Sequence, residues 1–432
     1  MVPKEYYGRL FTKEQLPVNY HPEALTLEGM IKVDKQLRCK RCYSWIEEDW
    51  QLPGGQYYCR ACIVFGRNQE GKELYYFPSK TSEIEFPVLK WFGELTPYQA
   101  KVSEKLLRTY QKQKDSLVHA VTGAGKTEMI YNIVAYVLEN KGHVAIASPR
   151  VDVCRELFLR MKRDFTCSIS LLHAESEPYD GSPLVIATTH QLLKFYQSFD
   201  LVIVDEVDAY PFVGNVMLNH AVEQAKTETG RFIYLTATST LSLEEQVRLG
   251  TLEKHHLARR FHGNPLVLPK LFWQGRLQKS LTRGKLPRPL LYQIKKQRKS
   301  KFPLLIFFPN IAIGEKFTSI LQKYLPDEKM AFVSSKSEKR STIVEKFRKK
   351  ELSILVTTTI LERGVTFPQV DVFVCMANHH LYTSSSLIQI GGRVGRSMDR
   401  PTGELLFFHD GLNASIKKAI KEIKQMNKEA GL

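Results

Sequence analysis

The sequence contains no apolar run long enough to cross a lipid bilayer. Its longest apolar run, residues 302–314, is interrupted by Pro309 and falls short of the roughly 20 residues that a membrane-spanning helix needs. The opening residues 1–15 (MVPKEYYGRLFTKEQ) also contain no apolar segment of the kind found in secretory signals. We therefore expect a cytoplasmic protein that is not an integral membrane protein.

Acidic residues are scarce relative to basic ones. The 62 Lys and Arg residues outnumber the 45 Asp and Glu residues, which gives a formal net charge of +17. Residues 254–314 contain no Asp or Glu, but carry fourteen Lys and Arg with Phe272, Trp273 and Tyr292 among them. An excess of positive charge favours a polyanionic partner, either nucleic acid or an anionic membrane surface. The basic segment with its aromatic residues is typical of a surface that follows phosphates, although a solvated linker would show the same charge.

Cysteine is also infrequent, with seven residues, and disulfides are not expected in a cytoplasmic protein. Four of these cysteines form a C-x2-C-x16-C-x2-C pattern made by Cys39, Cys42, Cys59 and Cys62. Four thiolates at this spacing can close a tetrahedral Zn2+ site, which would stabilise the segment and leave no open position for catalysis. A redox pair and metal-free thiols are the alternatives. The remaining cysteines are interpreted as packing residues: Cys154, Cys167 and Cys375.

Short apolar runs alternate with longer amphipathic stretches from about residue 116 onward, beginning with SLVHAV and ending with ELLFFHD. This alternation predicts parallel sheets that are covered by helices on both faces. We therefore predict an α/β fold with two tandem domains, preceded by a small four-cysteine zinc-binding module. The predicted divisions are an N-terminal segment with the zinc module at 1–85, a first α/β domain at 86–270, a basic linker at 271–290 and a second α/β domain at 291–432.

A candidate phosphate-binding loop follows the first of these apolar runs, in the sequence HAVTGAGKTEMI. Glycines allow backbone N–H groups to turn toward phosphates, a lysine reaches the β and γ oxygens, and a threonine hydroxyl binds Mg2+. The first position of the P-loop pattern is Ala120 instead of glycine, so the strict pattern fails by one residue, and a tight strand-to-helix turn is the alternative. The predicted ATP-binding residues of the loop are Thr122, Gly123, Ala124, Gly125, Lys126 and Thr127.

A pair of acidic residues ends the apolar run at 201–204 (LVIV). The carboxyl ends of parallel strands are where open α/β sheets bind ligands. Asp205 is therefore expected to bind Mg2+ together with Thr127, and Glu206 is expected to orient and deprotonate the attacking water. An Asp-Glu pair that only caps the next helix is the structural alternative.

Eight sequence blocks, taken together, resemble the superfamily 2 helicases and translocases over residues 92–400. In order, they are LTPYQ, TGAGKT, ASPR, ATTHQLL, DEVD, LTATS, VTTTILERGVTFP and QIGGRVGR. With a four-cysteine module ahead of the motor, the chain is most similar to the ComFA-type late-competence DNA translocases. The last block has the same form in PriA-type helicases.

The resemblance implies two RecA-like domains with ATP bound between them, and it assigns roles to further residues. Gln99 would recognise adenine and Gly364 would contact ATP. Arg393 and Arg396 would act as arginine fingers on the γ-phosphate when the domains close. The nucleic-acid contacts that the resemblance implies are Pro149, Arg150, Thr188, Thr189, His190 and Thr358.

The expected activity is ATP- and Mg2+-dependent translocation along single-stranded DNA during DNA uptake. The family suggests a membrane DNA-uptake channel and other competence proteins as partners, and a position at the inner face of the membrane. Thr359, Thr366 and Ile390 depart from the residues common in RNA helicases, which makes RNA unwinding less favoured. The alternatives are a PriA-type primosome or repair helicase that unwinds duplexes, and a nucleotide-gated DNA-binding scaffold.

Overall fold

The computed structural model describes residues 2–81 and 84–432. The chain forms two compact units, one made of Met1–His119 and Lys126–His256 and the other of Ala120–Gly125 and Leu257–Leu432. Within the described residues, no helix combines the length and the apolar character that crossing a membrane requires.

The first unit contains a large central sheet and a smaller N-terminal part. Its strands are β1 (Leu10–Thr12), β2 (Leu25–Glu28), β3 (Met30–Val33), β4 (Gln36–Cys39), β5 (Glu73–Tyr76), β6 (Asp115–Ala120), β7 (Val144–Ser148), β8 (Ile169–Leu172), β9 (Leu184–Thr188), β10 (Phe199–Asp205), β11 (Lys226–Thr236) and β12 (Leu252–Leu257). Its helices are α1 (Pro97–Gln111), α2 (Lys126–Met129), α3 (Tyr131–Glu139), α4 (Val151–Asp164), α5 (Val216–Ala225) and α6 (Leu241–Arg248), with a 3-10 helix at Thr189–Lys194.

Seven strands form the central sheet in the order β12-β6-β11-β10-β7-β9-β8, and the pairs from β6 to β8 are parallel. Strands β7 and β9 are buried along their whole length. A strand covered on both faces needs apolar residues at successive positions, which explains the unbroken run VAIA in β7. The helix α1 begins at a capping box in which the Thr96 side chain accepts a hydrogen bond from the Gln99 N–H.

The N-terminal part packs against the edge of this unit. Strands β1, β5 and β2 form an antiparallel sheet, and β3 and β4 form a separate hairpin. The Tyr196 N–H donates to the Gly8 carbonyl at 2.9 Å, and the Ser198 hydroxyl donates to the same oxygen. These bonds attach the chain's first residues to the segment that precedes β10.

The second unit is built on a six-stranded sheet whose neighbouring strands are all parallel, in the order β13-β18-β17-β14-β16-β15. The strands are β13 (Lys270–Trp273), β14 (Leu304–Phe307), β15 (Met330–Val333), β16 (Ile354–Thr357), β17 (Asp371–Val374) and β18 (Leu405–His409). The helices are α7 (Leu277–Thr282), α8 (Arg288–Arg298), α9 (Ile311–Tyr324), α10 (Arg340–Arg348), α11 (Ser384–Gly391) and α12 (Ala414–Glu429). The predicted fold class, two parallel RecA-like sheets after a four-cysteine module, is confirmed.

The structure differs from the sequence analysis at residues 271–290, which were predicted as a basic linker. Strand β13 pairs with β18 as an integral part of the second sheet. Leucines spaced along the segment are buried in the same core: Leu277, Leu281, Leu286 and Leu290. The segment is amphipathic, and its many cations lie on the polar side of a folded element. The charge of the segment therefore reflects its exposed face and does not indicate that its leucines pack in the core.

Candidate nucleotide site and four-cysteine site

The acidic strand end in the first unit has an unusual backbone. Asp205 is the last residue of β10, and its Oδ1 accepts a hydrogen bond from the Glu206 N–H at 2.8 Å. Glu206 has a φ of +55°, the left-handed region that residues other than glycine seldom adopt. Its side chain is 16% exposed, and its Oε2 lies 3.8 Å from Nε of Arg150. A strained residue at the end of a buried strand, next to a cation, is typical of a functional site.

A third carboxylate joins this strand end to the neighbouring strand. Asp208 Oδ1 accepts a hydrogen bond from the Thr236 hydroxyl at 2.8 Å, and its Oδ2 accepts one from the Thr238 hydroxyl. Thr236 ends β11, so the bonds connect the DEVD and LTATS blocks directly. The sequence alone gives Asp208 no role, since it does not show from which hydroxyls a carboxylate accepts hydrogen bonds.

Lys126 and Thr127 open α2, immediately after the loop that follows β6. Strands β6 and β10 flank β11 in the parallel sheet, so their carboxyl ends lie on the same edge. A threonine hydroxyl and an aspartate carboxylate are oxygen ligands of the kind that Mg2+ prefers. Thr127 and Asp205 therefore fit the predicted magnesium site by chemistry and by sheet edge.

The phosphate loop itself, Ala120–Gly125, belongs to the second unit by its contacts. Gly123 and Gly125 have φ values of +81° and +74°, so glycine is required at both positions. The Thr122 Oγ1 is buried and has no hydrogen-bond partner among the residues that the structure describes. A buried hydroxyl without a partner, in a loop shaped by two glycines, fits a loop that binds phosphate oxygens.

Arg260 is a buried cation that links this loop's neighbourhood to the QIGGRVGR block. Its Nη1 donates to the carbonyls of Val394 and Gly395 at 2.9 and 2.7 Å, and its Nη2 donates to Gly392 at 3.2 Å. Burial, and to a smaller extent the nearby Arg396, lower the pKa of the Arg260 guanidinium to about 9. The side chain is therefore still a cation at neutral pH. The sequence does not point to Arg260, because its acceptors are backbone carbonyls more than a hundred residues away.

The two predicted arginine fingers occupy different environments within the second unit. Arg393 is 1% exposed, donates to the Val365 carbonyl and lies 5.7 Å from the centroid of the Phe367 ring. Arg396 is only partly buried, and its Nε donates to the Gly392 carbonyl at 3.0 Å. In this conformation Arg396 is the more accessible of the two.

Two further residues that were predicted to contact ATP lie in turns and caps. Gln99 is 5% exposed, and its Oε1 accepts hydrogen bonds from the N–H and the hydroxyl of Thr96, both at 2.9 Å. Its carboxamide therefore helps to cap α1 in this structure. Gly364 has a φ of +79°, which accounts for a glycine at that position regardless of any ligand.

The predicted nucleic-acid contacts lie at the carboxyl ends of strands. In the first unit, Thr188 ends β9, and Thr189 and His190 open the 3-10 helix that follows. Burial lowers the pKa of His190. In the second unit, Thr358 follows β16 and is 8% exposed.

Helix α4 follows β7 and begins at Val151, with Arg150 at the N-cap position and no side-chain cap hydrogen bond. Pro149 and Arg150 are partly buried, and Arg150 lies beside Glu206. Arg150 is thus placed to act on the acidic strand end, in addition to any contact with nucleic acid.

The four predicted zinc ligands come together in the N-terminal part. Their Sγ atoms all lie within 4.8 Å of one another, and all four side chains are fully buried. The Cys39–Cys62 and Cys42–Cys59 Sγ pairs are 3.7 and 3.5 Å apart. A tetrahedral site with Zn–S bonds of about 2.3 Å places its sulfurs about 3.8 Å apart. The cluster is therefore compatible with zinc, which these thiolates would bind as a structural ion.

Residues around the cluster support its ligands and attach it to the first unit. The Asn68 Nδ2 donates a hydrogen bond to Cys39 Sγ at 3.2 Å. Hydrogen bonds of this kind, from residues around a metal site to its ligands, orient the ligands. The Tyr43 ring stacks on His220 of α5 with centroids 4.8 Å apart, and the His220 Nε2 lies 3.0 Å from the Lys40 carbonyl. Burial lowers the pKa of His220, so the ring is neutral at physiological pH and donates to this carbonyl.

Comparison with protein families assigns both halves of the motor. Residues 96–246 match the family described as DEAD/DEAH box helicase, and residues 286–398 match the helicase conserved C-terminal domain. The solved structure of Mycobacterium smegmatis helicase Lhr bound to single-stranded DNA and AMP-PNP superposes with a TM-score of 0.57 at 19% identity, covering 78% of this chain and 48% of that chain. At that identity the likeness concerns the fold alone.

Two curated relatives cover nearly the whole chain. The competence protein ComFA of Streptococcus pneumoniae strain R6 is 59% identical over 431 residues, which is 99% of this chain and 99% of that protein. The competence protein ComFA of Bacillus subtilis strain 168 is 34% identical, covering 97% of this chain and 92% of that protein. The chain therefore belongs to the ComFA family of competence proteins and is an ATP-hydrolysing enzyme of the superfamily 2 helicase type.

Proposed function

We propose that this enzyme uses ATP hydrolysis to move along single-stranded DNA and thereby powers DNA uptake during transformation. The observation that carries the proposal is the bonding of Asp208 to Thr236 and Thr238, beside the strand end that bears Asp205 and Glu206. A motor needs its hydrolytic acids to be connected to other moving elements, and here three side chains make that connection directly.

In the proposed reaction, the phosphate loop and Lys126 would bind the triphosphate, and Thr127 and Asp205 would hold a Mg2+ ion, which would neutralise phosphate charge. Glu206 orients the attacking water and accepts its proton. Arg393 and Arg396 would stabilise the charge that develops on the γ-phosphate. Six residues would bind the DNA backbone, which positions the strand without reading its sequence. They are Pro149, Arg150, Thr188, Thr189, His190 and Thr358.

The relatives' names associate them with competence, and the proposal extends that role to this chain. Its partners would be single-stranded DNA, a membrane DNA-uptake channel and other competence proteins. The enzyme would act in the cytoplasm at the inner face of the membrane. The zinc ion would stabilise the N-terminal module and take no part in hydrolysis.

The decisive experiment measures steady-state ATP hydrolysis with no nucleic acid, single-stranded DNA, duplex DNA or single-stranded RNA at one salt concentration. We expect strong stimulation by single-stranded DNA. The Lys126→Ala and Glu206→Gln variants should lose this activity, whereas the exposed Lys112→Ala variant should keep it. A wild-type rate in either active-site variant would contradict the assigned roles.

Translocation is separated from unwinding by a second assay. Displacement of streptavidin from one end of a biotinylated single strand reports movement, and a forked duplex reports strand separation. We expect the first without the second. Unwinding of the fork would favour a PriA-type helicase, and absence of hydrolysis under every condition would favour the scaffold.

A further inference from the structure

A pocket of about 670 Å3 opens at one end of the second unit's sheet. It follows the carboxyl ends of β13, β18 and β17, which are neighbours in this parallel sheet. The carboxyl edge is where open α/β sheets bind their ligands. The residues that matter for its chemistry are Gln274, Arg276, Lys279, Arg283, His379 and Asp410.

Helix α7 supplies the pocket with positive charge because its other side is anchored in the core. Leu277 and Leu281 lie one turn apart and are buried at 4% and 1% exposure. Arg276, Lys279 and Arg283 line the pocket, and across residues 2–81 and 84–432 no carboxylate lies within 4.0 Å of their charged nitrogens. Three cations without an acidic partner create a local potential that attracts a polyanion.

Asp410, the one acidic residue among the described residues that line the pocket, already has a hydrogen-bond partner. Asp410 Oδ1 accepts a hydrogen bond from Asn378 Nδ2 at 2.5 Å, and its own N–H donates to Asn378 Oδ1 at 3.2 Å. This pairing fixes the carboxylate against the next loop. The net charge of the lining is therefore positive.

An exposed aromatic residue, Trp273, immediately precedes Gln274, the first residue that lines the pocket. Trp273 ends β13 and is 74% exposed, an unusual position for an indole. Its ring lies over the Gly275 backbone, since a Cβ at Gly275 would come within 2.7 Å of it. The next residue, Gln274, lines the pocket, and its Oε1 accepts no hydrogen bond from any residue that the structure describes. A stacking surface, a polar acceptor and cations together match the base and the phosphate of a nucleotide.

We propose that this pocket binds one or two nucleotides of the single-stranded DNA, with Arg276, Lys279 and Arg283 on phosphates and Trp273 stacked on a base. This inference rests on the proposed function. Thr358 follows β16 on the same sheet edge, four strands from β13, which corresponds to about 19 Å. The strand would therefore follow the edge from Thr358 to the pocket.

The three cations of the pocket lie outside the parts of the chain that match the two helicase families. The two family matches cover residues 96–246 and 286–398. The residues of β13 and α7, including Trp273 and the three cations, lie between them. The three cations thus add to the motor a grip that the shared motifs do not contain.

The test measures binding of a labelled oligothymidylate to the full-length protein by fluorescence anisotropy over a series of salt concentrations. Each phosphate contact on a single strand contributes about 0.7 to the slope of log K against log salt concentration. The combined Arg276→Gln, Lys279→Gln and Arg283→Gln variant should therefore lose about 2 from this slope. Trp273→Ala should weaken binding by about 5- to 150-fold and leave the slope unchanged.

A matched control removes the same charge elsewhere on the second unit. Lys417, Lys421 and Lys424 are exposed on α12, and their combined replacement by Gln should preserve the wild-type slope. Equal losses in both triple variants would show a general effect of charge and overturn the proposal. The proposal is also overturned if the pocket variants bind DNA as tightly as the wild type and thermal unfolding shows that they are folded.

The outcomes separate this inference from the function on which it rests. Wild-type protein that neither binds single-stranded DNA nor is stimulated by it would refute the proposed function. Wild-type protein that binds DNA, with pocket variants that bind it equally well, would refute only the pocket.

Discussion

Replacing Arg260 by methionine tests whether a buried guanidinium holds the turn that carries Arg396. Methionine has nearly the length of arginine and fills much of its volume, but donates no hydrogen bonds. The Gly395 carbonyl would keep its bond from His262, at 2.9 Å, and the Gly392 carbonyl would keep its bond from Arg396. The Val394 carbonyl would lose its 2.9 Å hydrogen bond from the Arg260 guanidinium and would have no other donor in its place among the described residues.

Two opposing terms decide the effect of this change on stability. A buried carbonyl that loses its donor costs about 1–3 kcal/mol, and each of the other two weakened carbonyls costs about 1 kcal/mol. Removing the cation also removes its desolvation penalty, which is several kcal/mol for a buried ion. The terms nearly cancel, so we expect the free energy of unfolding to change by no more than about 2 kcal/mol.

The effect on catalysis should be much larger than the effect on stability. A displacement of about 1 Å in a group that acts on the transition state can lower the rate about 100-fold. We therefore expect kcat for DNA-stimulated ATP hydrolysis to fall about 100-fold in Arg260→Met, with a smaller change in KM for ATP. If Arg260 acts by positioning Arg396, the Arg260→Met/Arg396→Ala double variant should be no slower than Arg396→Ala alone.

Arg41 provides the matched control for loss of a buried arginine. It is fully buried in the N-terminal part and donates to the carbonyls of Phe65, at 2.5 Å, and Gly66. Arg41→Met should destabilise its module and leave kcat of the folded protein unchanged. The positioning argument fails if Arg260→Met is folded with wild-type kcat, or if its effect adds fully to that of Arg396→Ala.

Three further predictions concern the first unit. We expect about one Zn2+ per chain in the native protein. Elemental analysis should show that Cys39→Ser loses this zinc and that Cys167→Ser retains it. A native protein without zinc would contradict the site. Burial lowers the pKa of His119 to about 4 from 6.5. Because the unfolded chain therefore binds the imidazole proton more tightly, the contribution of His119 to the free energy of unfolding should fall by about 2 kcal/mol from pH 7 to pH 5. In denaturant titrations, His119→Gln should remove this share of the pH dependence and leave the share of the other buried histidines, such as His190 and His220. Asp208→Asn should keep basal ATP hydrolysis but reduce its stimulation by single-stranded DNA, and undiminished stimulation would rule out the connection through Thr236 and Thr238.

The placements that the sequence predicts best follow from local patterns. The loop after β6 and the Asp205-Glu206 strand end each occupy a few neighbouring positions, and the four cysteines form two CxxC pairs. Strand periodicity places the first two at the carboxyl edge of one sheet, and the CxxC pairs leave few other geometries. The fold class follows from the same alternation of buried strands and amphipathic helices.

The elements predicted poorly depend on contacts between distant parts of the chain. Residues 271–290 look like a linker when only their charge is considered, but the leucines of α7 and α8 pack in the second core. Arg150 was expected to contact nucleic acid, and the structure places it beside Glu206. In each case the sequence shows the residue type correctly, whereas its partner is determined by tertiary packing.

The segment 257–261 connects the phosphate loop to the turn that bears Arg396, and both lie in the second unit. Through this segment, a change in the bound nucleotide can alter the position of the turn. The Leu257 carbonyl accepts a hydrogen bond from the Val121 N–H at 3.1 Å, and the Phe261 N–H donates to the Gly123 carbonyl at 3.0 Å. Arg260, between them, bonds the turn that precedes Arg396. A shift of the phosphate loop must therefore stretch or break these bonds unless the turn moves as well. Because packed interiors have few intermediate arrangements, such a linked segment favours two discrete states over a gradual change, which is what a stepping motor requires.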